Sequence, residues 1–205
     1  MKLARPVLVG IAVAVLTGAS PPVDSTLFNN PTAGIQVKRP ASWHFATAAQ
    51  HMANLKAVKL NDEQFHAAMQ KYSTAPLVAM MKYAEPFDDV NPSFKVNLKP
   101  YGELRGKSPT QIISLFVPQL EKTFKDFSLV QPPTDAVVSG IKSGYMRMNY
   151  ALEIPDGRTF PTTSELWIVP HGDYYFIIGA GTRQDEKTGS REEIKRILKT
   201  VKIAQ

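Results

Sequence analysis

The chain has 205 residues, no cysteine, and 24 basic against 18 acidic residues, which gives a formal net charge of +6. The absence of cysteine excludes disulfides and thiolate chemistry, and the length fits one domain with a substantial core. The mild positive charge suits an acidic partner or an anionic membrane surface, and solubility alone would also explain it. Because no block of like charge stands out, nucleic-acid binding is not expected.

Residues 1–19 have the layout of a secretory signal peptide. Lys2 and Arg5 form a positively charged start, an uncharged apolar run follows over 7–16, and small residues lead to Ala19. We expect cleavage between Ala19 and Ser20. The apolar run is too short to span a bilayer, which takes roughly 20 apolar residues. The alternative is an ordinary buried helix or a disordered tail.

The signal peptide predicts a periplasmic or secreted protein that has no transmembrane segment after cleavage. We expect residues 20–30 to be a flexible mature N-terminus and residues 31–205 to form a single domain. The first ordered element is then a short strand in the stretch "GIQVKRPASWHF". Ile35 and Val37 alternate with polar residues there, Pro40 stops the pattern, and Trp43 follows.

A first helix is predicted over Asn61–Tyr72. Asn61 and Gln64 have the spacing of a capping box, and Leu60 and Phe65 that of a hydrophobic staple. Two alternating stretches over 77–83 and 94–99 then predict strands. The period of two places Lys95 and Lys99 on the face opposite the core, and the intervening "EPFDDVNPS" is a polar loop.

A second helix is predicted to begin at Ser108. Ser108 and Gln111 form a capping box, and Pro109 suits the first helical position. Pro118 lacks the N–H that would bond to the carbonyl of Ser114, so a kink is expected there. The apolar stripe of this helix consists of Ile113, Phe116, Val117, Leu120 and Phe124.

The last third of the sequence predicts an antiparallel meander of at least three strands followed by a helix. The strands are "GYMRMNYALEI", "RTFPTTSELWIV" and "YYFIIGAGT", and turn residues separate them. Pro161 indicates that the second of these strands begins late or lies at an edge. Ser190 and Glu193 have capping-box spacing before the last helix, whose stripe is Ile194, Ile197, Leu198 and Val201.

Several strands carry apolar residues on both faces, so both faces of the sheet need cover. We therefore predict an α+β fold with helices on both faces of one antiparallel sheet, an α/β/α sandwich. A short strand leading to Pro40 and Trp43, a late meander and a C-terminal amphipathic helix together resemble the family of PsbP, the extrinsic protein of photosystem II. The resemblance covers roughly residues 31–203 and rests on "GIQVKRPASW" and the strand order.

The resemblance implies an accessory or assembly protein without catalysis of its own. The same fold occurs in a eukaryotic release factor for the Ran GTPase and in small exported bacterial proteins. No loop motif of PsbP is matched here, so the resemblance assigns no functional residues.

The candidate motifs of the sequence give no catalytic, cofactor or metal residues. "GAGTRQ" over 179–184 has Gln184 where a dinucleotide fingerprint needs glycine, and its strand belongs to a hairpin. Its glycines are expected instead to ease packing of a helix against the strand. Three further sets of residues lack the spacing of a site: histidines without ligand spacing (His44, His51, His66, His171), loop carboxylates without calcium-loop spacing (Glu85, Asp88, Asp89) and serines without a neighbouring base (Ser73, Ser139, Ser143).

The leading hypothesis is therefore an exported, non-catalytic binding protein that acts on a protein or envelope partner and is monomeric, without cofactor, metal or nucleic acid. The alternative is a carrier that holds a small apolar ligand between the sheet and a flanking helix, since aromatic residues such as Trp167 lie on the meander. An unrecognised hydrolase is the third hypothesis.

Overall fold

The computed structural model describes residues 25–47, 49–50, 75–154 and 156–204. The predicted signal peptide with its cleavage site at Ala19 and Ser20 lies outside the described residues, and so does the predicted helix Asn61–Tyr72. His51, His66 and Ser73 also lie outside them.

A large antiparallel sheet is the centre of the fold. Its seven strands follow the order β3-β4-β5-β9-β8-β7-β6. Alternating side chains and tight turns build it, as the meander pattern predicts. The strands are β3 (His44–Phe45), β4 (Val78–Met81), β5 (Ser93–Pro100), β6 (Lys125–Val138), β7 (Ile141–Glu153), β8 (Thr159–His171) and β9 (Tyr174–Arg183).

The meander has four strands, in agreement with the prediction of at least three, and β8 does not begin late. The additional strand is β6, which forms an edge of the sheet. Strand β8 already begins at Thr159 and includes Pro161 opposite Ala151. The register of β8 with β9 ends at Thr162, and beyond it Gln184 N still donates to the carbonyl of Pro161 at 3.0 Å. Proline is accommodated at the end of this pairing because its carbonyl can still accept, although it has no N–H to donate.

A second sheet of three short strands joins the two ends of the described chain. It consists of β1 (Leu27–Asn30), β2 (Ile35–Lys38) and β10 (Lys202–Ile203), with β2 in the middle. The expectation of a flexible segment over 20–30 is therefore wrong for Leu27–Asn30. These residues pair with β2 in antiparallel register, which holds them in place.

The first described α-helix, α1 (Pro109–Thr123), covers one face of the large sheet. Its N-terminus has the predicted capping box: Gln111 N donates to Ser108 Oγ at 3.2 Å, and Ser108 N donates to Gln111 Oε1 at 2.8 Å. The helix continues through Pro118. Buried Ile112 and Ile113 pack on this face, in what we call the α1-side core, together with Met146, Met148, Ile168 and Tyr175.

The other face is covered by α2 (Arg191–Lys199) and by the small sheet. Ile194 and Ile197 are each 1% exposed, and they pack on what we call the α2-side core. The predicted capping box at Ser190 and Glu193 does not form, because Ser190 makes no side-chain cap. Both side chains instead accept hydrogen bonds from Lys82. Helices therefore flank both faces of an antiparallel sheet, and the predicted α/β/α sandwich is confirmed.

Candidate functional site

Two carboxylates lie where the α2-side core meets the N-terminus of α2. Glu165 projects from the middle of β8 and is 4% exposed. Glu193 lies in the first turn of α2, and its side chain is 22% exposed. We call these two groups and their partners the carboxylate cluster, which comprises Glu165, Tyr145, Arg191, Glu193, Lys82, Trp43 and Ser190.

Glu165 is held by a tyrosine and an arginine. The Tyr145 hydroxyl donates to Glu165 Oε1 at 2.5 Å, and Arg191 Nε donates to the same oxygen at 3.0 Å. Tyr145 also stacks on Trp167, with ring centroids 5.1 Å apart. A buried carboxylate requires such partners, because an uncompensated charge in the core is strongly destabilising.

Glu193 joins three distant parts of the chain. Its Oε1 accepts from Lys82 Nζ at 2.6 Å, and its Oε2 accepts from Trp43 Nε1 at 2.8 Å. Lys82 Nζ also donates to Ser190 Oγ at 3.0 Å. Trp43 itself is fully buried. The conspicuous tryptophan after Pro40 is therefore an anchor for α2, because its ring fills the core and its N–H holds Glu193.

The pKa shifts in the carboxylate cluster favour the charge states that its groups have at neutral pH. Burial and the hydrogen bond to Glu165 raise the pKa of Tyr145 to about 12, so its hydroxyl stays protonated. The hydrogen bond to Glu193 raises the pKa of Lys82 above its ordinary value. Burial raises the pKa of Glu193, but hydrogen bonds from Lys82 and Trp43 oppose it, and the net shift is downward.

A general acid or base works best with a pKa near the operating pH. The pKa values of Tyr145, Lys82 and Glu193 are all shifted away from neutrality. Each of these groups also takes part in a hydrogen bond with a charged partner. The arrangement is suited to locking α2 and β8 together and to fixing the surface above them.

That surface contains a polar cavity of about 470 Å³. The loop over 184–190, the first turns of α2 and Thr163 line it. Its lining residues, which we call the rim, carry charges of both signs: the arginines Arg183, Arg191 and Arg196 and the carboxylates Asp185, Glu186, Glu192 and Glu193. A rim of this kind complements a partner surface with its own pattern of charges rather than a simple anion.

The stretch "GAGTRQ" over 179–184 contributes to the polar cavity only through its last residues. Gly179 and Gly181 lie within β9, which pairs antiparallel with both β5 and β8, and the chain reaches the cavity at Arg183 and Gln184. No described helix approaches Gly179, since a Cβ there would meet no heavy atom of the described chain within 4 Å. The expected packing of a helix on these glycines is therefore not found in the described structure.

The loop carboxylates pair within the protein. Asp88 forms an ion pair with Arg158 at 2.7 Å, and Asp89 forms one with Arg183 at 3.0 Å. Glu85 Oε1 accepts from Asn91 Nδ2 at 2.8 Å. The loop before β5 is thereby tied to the β7–β8 and β9 ends of the sheet.

The candidate residues His44, His171, Ser139 and Ser143 make no hydrogen bond to the carboxylate cluster among the described contacts. His44 is exposed on β3. His171 is half-buried at the end of β8, with its ring centroid 5.2 Å from that of Phe176. Ser143 Oγ donates to the carbonyl of Ile141, and Ser139 Oγ accepts from Ile203 N. Within the described ranges, no group of three His, Asp or Glu side chains converges on a possible metal position.

A second, smaller cavity of about 210 Å³ lies beside β3 and β4 and is lined mainly by apolar residues, including Phe28, Phe45 and Leu77. Ligand pockets for small molecules usually have about 300–1,000 Å³. Buried isoleucines of α1 and α2 pack between these helices and the sheet. The carrier hypothesis therefore gains little from this cavity.

Sequence reasoning did not identify the carboxylate cluster. One signal was present: in "TTSELWIV", Glu165 shares a strand face with Trp167 and Val169. A single acidic residue on an apolar face of a strand indicates a buried, paired carboxylate. Its partners Tyr145 and Arg191 follow only from the register of β7 and the position of α2.

No protein-family model matches the chain, and no curated protein matches it. Solved structures do match. Cyanobacterial PsbP (CyanoP) from Synechocystis sp. PCC 6803 has 11% identity and a TM-score of 0.51, and the match covers 92% of this chain and 99% of that one. LpqN of Mycobacterium tuberculosis, described as involved in cell envelope biogenesis, has 14% identity and a TM-score of 0.50 over 83% of each chain. The Saccharomyces cerevisiae Ran-binding protein Mog1p has 10% identity and a TM-score of 0.47, covering 86% of this chain and 94% of that one.

The fold is therefore PsbP-like, as the strand order and the "GIQVKRPASW" stretch predicted. Identities of this size establish the fold alone. None of the helices in the described ranges is both long and apolar enough to cross a membrane.

Proposed function

We propose that the protein is an exported accessory protein of the cell envelope, without a catalytic step of its own, which binds a protein partner through the rim of the polar cavity. The observation that carries this proposal is the carboxylate cluster. Its ionisable groups are paired with one another, and Arg191 and Glu193 belong both to the cluster and to the rim, where Arg196, Glu186 and Glu192 are exposed.

The fold supports the accessory role. Two proteins of the same fold are a PsbP and a protein described as involved in cell envelope biogenesis. The signal-peptide layout of residues 1–19 supports the compartment. The mixed charges of the rim favour a protein partner, because complementary charges on two surfaces select partners and accelerate their encounter.

The partner surface is tested by site-specific photocrosslinking in the native envelope. A photoreactive amino acid at Gln184 lies on the rim, and one at Lys125 on the exposed β6 edge is the matched control. We expect a discrete crosslinked species from position 184 and none of the same mass from position 125. In the protein that also carries Arg196→Glu, this species is expected to weaken.

Equal crosslinking from both positions, or an adduct at 184 that Arg196→Glu leaves unchanged, would contradict the proposed surface. The compartment is tested separately by N-terminal sequencing of the native protein. We expect a mature terminus near Ser20 in the extracytoplasmic fraction. Recovery of intact Met1 from the cytosol would exclude export.

A further inference from the structure

The excess positive charge of the protein is concentrated where the small sheet meets the end of α2. The small sheet and this helix end are built from residues 25–47 and 194–204, which contain six basic residues and no acidic one. The whole chain has 24 basic and 18 acidic residues, so the rest of the chain carries 18 of each sign. The formal net charge of +6 therefore belongs to these two segments alone.

The register of the small sheet places two lysines on its outer face. Lys202 lies opposite Gln36 in the pairing of β10 with β2. Lys38 follows Gln36 by two residues and therefore projects from the same face. Both lysines are exposed, whereas Val37 and Ile203, on the inner face, pack in the α2-side core.

The last turn of α2 brings a third lysine to this face. Lys38 N donates to Thr200 Oγ1 at 2.9 Å, which holds the end of α2 against β2. Lys199 directly precedes Thr200 and is exposed. We call Lys38, Lys199 and Lys202 the basic face. A basic residue in a last helical turn is favourable to the helix itself, but this does not account for the two lysines on strands.

Nearby acidic residues are engaged by other basic groups. Glu192 on α2 pairs with Lys195 at 2.6 Å. Asp173, in the turn after β8, pairs with Arg105 at 3.0 Å. In the described part of the chain, neither Lys199 nor Lys202 forms an ion pair. The basic face is therefore not neutralised by these carboxylates.

The basic face differs from the rim of the polar cavity, which carries both signs of charge. A face of one sign matches a surface that is uniformly negative, such as the headgroup layer of a bilayer with anionic lipids. Leu27 lies opposite Lys38 in the register and adds a half-buried apolar side chain to this face. Because β1 is the first described strand, the apolar run over 7–16 is connected to the fold at this sheet.

We propose that the basic face binds the surface of a lipid bilayer that contains anionic phospholipids. The rim surrounds the first turns of α2, whereas the basic face lies at the end of this helix. The rim therefore stays available to a protein partner while the basic face is on the bilayer. Membrane binding by the basic face does not depend on the partner proposed for the rim.

The test is co-sedimentation of the full chain with phosphatidylcholine vesicles, with and without about one-third phosphatidylglycerol. Vesicles of phosphatidylcholine alone measure whatever the apolar run over 7–16 contributes. We expect stronger binding to the anionic vesicles, and we expect this difference to disappear at high salt because salt screens exposed charges.

Two triple variants that lose the same charge locate the binding surface. The variant of the basic face carries Lys38→Gln, Lys199→Gln and Lys202→Gln. It is expected to lower the partition coefficient on anionic vesicles by about a hundredfold, which corresponds to about 1 kcal/mol per lysine. Each single substitution should lower it about fivefold. The matched control replaces three exposed lysines outside the basic face and should bind nearly as the parent does: Lys107→Gln, Lys122→Gln and Lys125→Gln.

Thermal unfolding of both triple variants checks that they fold, and the single substitutions decide the matter if a triple variant does not. The proposal is overturned if the parent binds both kinds of vesicle equally, or if the two triple variants bind equally, since net charge alone would then be responsible. Binding of soluble polyaspartate without binding of anionic vesicles would assign the basic face to an acidic protein and would also overturn it.

Discussion

The two faces of the large sheet are covered in different ways. On the α2 side, a nine-residue helix is fixed by buried isoleucines and by the carboxylate cluster, which connects residues far apart in sequence, such as Trp43 and Glu193. On the α1 side, a longer helix begins at a complete capping box, its first turn lies directly on Gly144, and its core is apolar. A short helix needs tertiary anchors, because isolated helices of this length are marginal in water.

The largest expected effect concerns the apolar anchor of α2. Ile197→Ala removes a side chain that is 1% exposed, and truncation of a buried isoleucine costs about 2–5 kcal/mol. Lys199→Ala, two residues later on the exposed surface, is the control and should leave stability nearly unchanged. Chemical denaturation measures both variants. Equal midpoints for the two would mean that α2 does not pack on the sheet.

The carboxylate cluster should contribute somewhat less to the free energy of unfolding than Ile197 does. Lys82→Met leaves the half-buried Glu193 with Trp43 as its remaining cluster partner. Loss of a hydrogen bond to a charged group costs about 1.5–3 kcal/mol. Lys142→Met is the matched control, because its ion pair with Asp135 is exposed and exposed pairs contribute about 0–1 kcal/mol. If both variants unfold at the same denaturant concentration, the carboxylate cluster does not anchor α2.

On the α1 side, the sensitive position is a glycine. A Cβ at Gly144 would lie 2.7 Å from the carbonyl carbon of Pro109 and 2.9 Å from Thr110 N. These are backbone atoms, so Gly144→Ala must displace the start of α1, and overpacking of this kind costs about 1–3 kcal/mol. Gly179→Ala, with no described atom in reach, should cost far less. The ratio of the two free-energy changes, measured by urea unfolding, tests how closely α1 lies on the sheet.

The smallest expected effect is a pH dependence of the free energy of unfolding, which arises from Glu193 on the α2 side. The pKa of Glu193 is lowered in the folded protein from its ordinary value of 4.5. The contribution of Glu193 to the free energy of unfolding is therefore complete above its pKa in the unfolded chain. It is lost as the pH falls through its pKa in the folded protein. We expect the stability difference between the parent and Lys82→Met to shrink as the pH is lowered below about 4.5. A difference that is constant down to pH 2 would show that Glu193 is not stabilised by Lys82.

Local patterns were sufficient for most of the described fold. The alternation in β7, β8 and β9 and the turn residues between them define the hairpins, and Ser108 with Gln111 defines the start of α1. Four strands were missed: the two-residue strands β3 and β10, which are too short to show a pattern, and β1 and β6, for identifiable reasons. In β1, only Leu27 and Phe28 are apolar and they are adjacent, so no alternation is visible. In β6, two consecutive prolines interrupt the alternation that Phe127 and Leu129 begin, and the pairing with β7 has several register shifts.

The candidate site was much less predictable. The Ser190 and Glu193 spacing has the form of a capping box, but Lys82 and Trp43 take both side chains. The sequence around Ser190 gives no sign that other groups compete for these side chains. The competing groups come from positions more than a hundred residues away along the chain. Long-range register, rather than local propensity, determines which polar groups meet.

The small sheet has a consequence for the order of events during folding. Strand β2 gains its second neighbour only from β10, and Lys38 N donates to Thr200 Oγ1 across a separation of 162 residues. Contacts between remote segments form slowly, because the intervening chain must first be brought together. Residues 202–203 must therefore have left the ribosome before the sheet around β2 can be completed. Until then the small sheet stays incomplete, and the exposed edge of β2 remains accessible to chaperones.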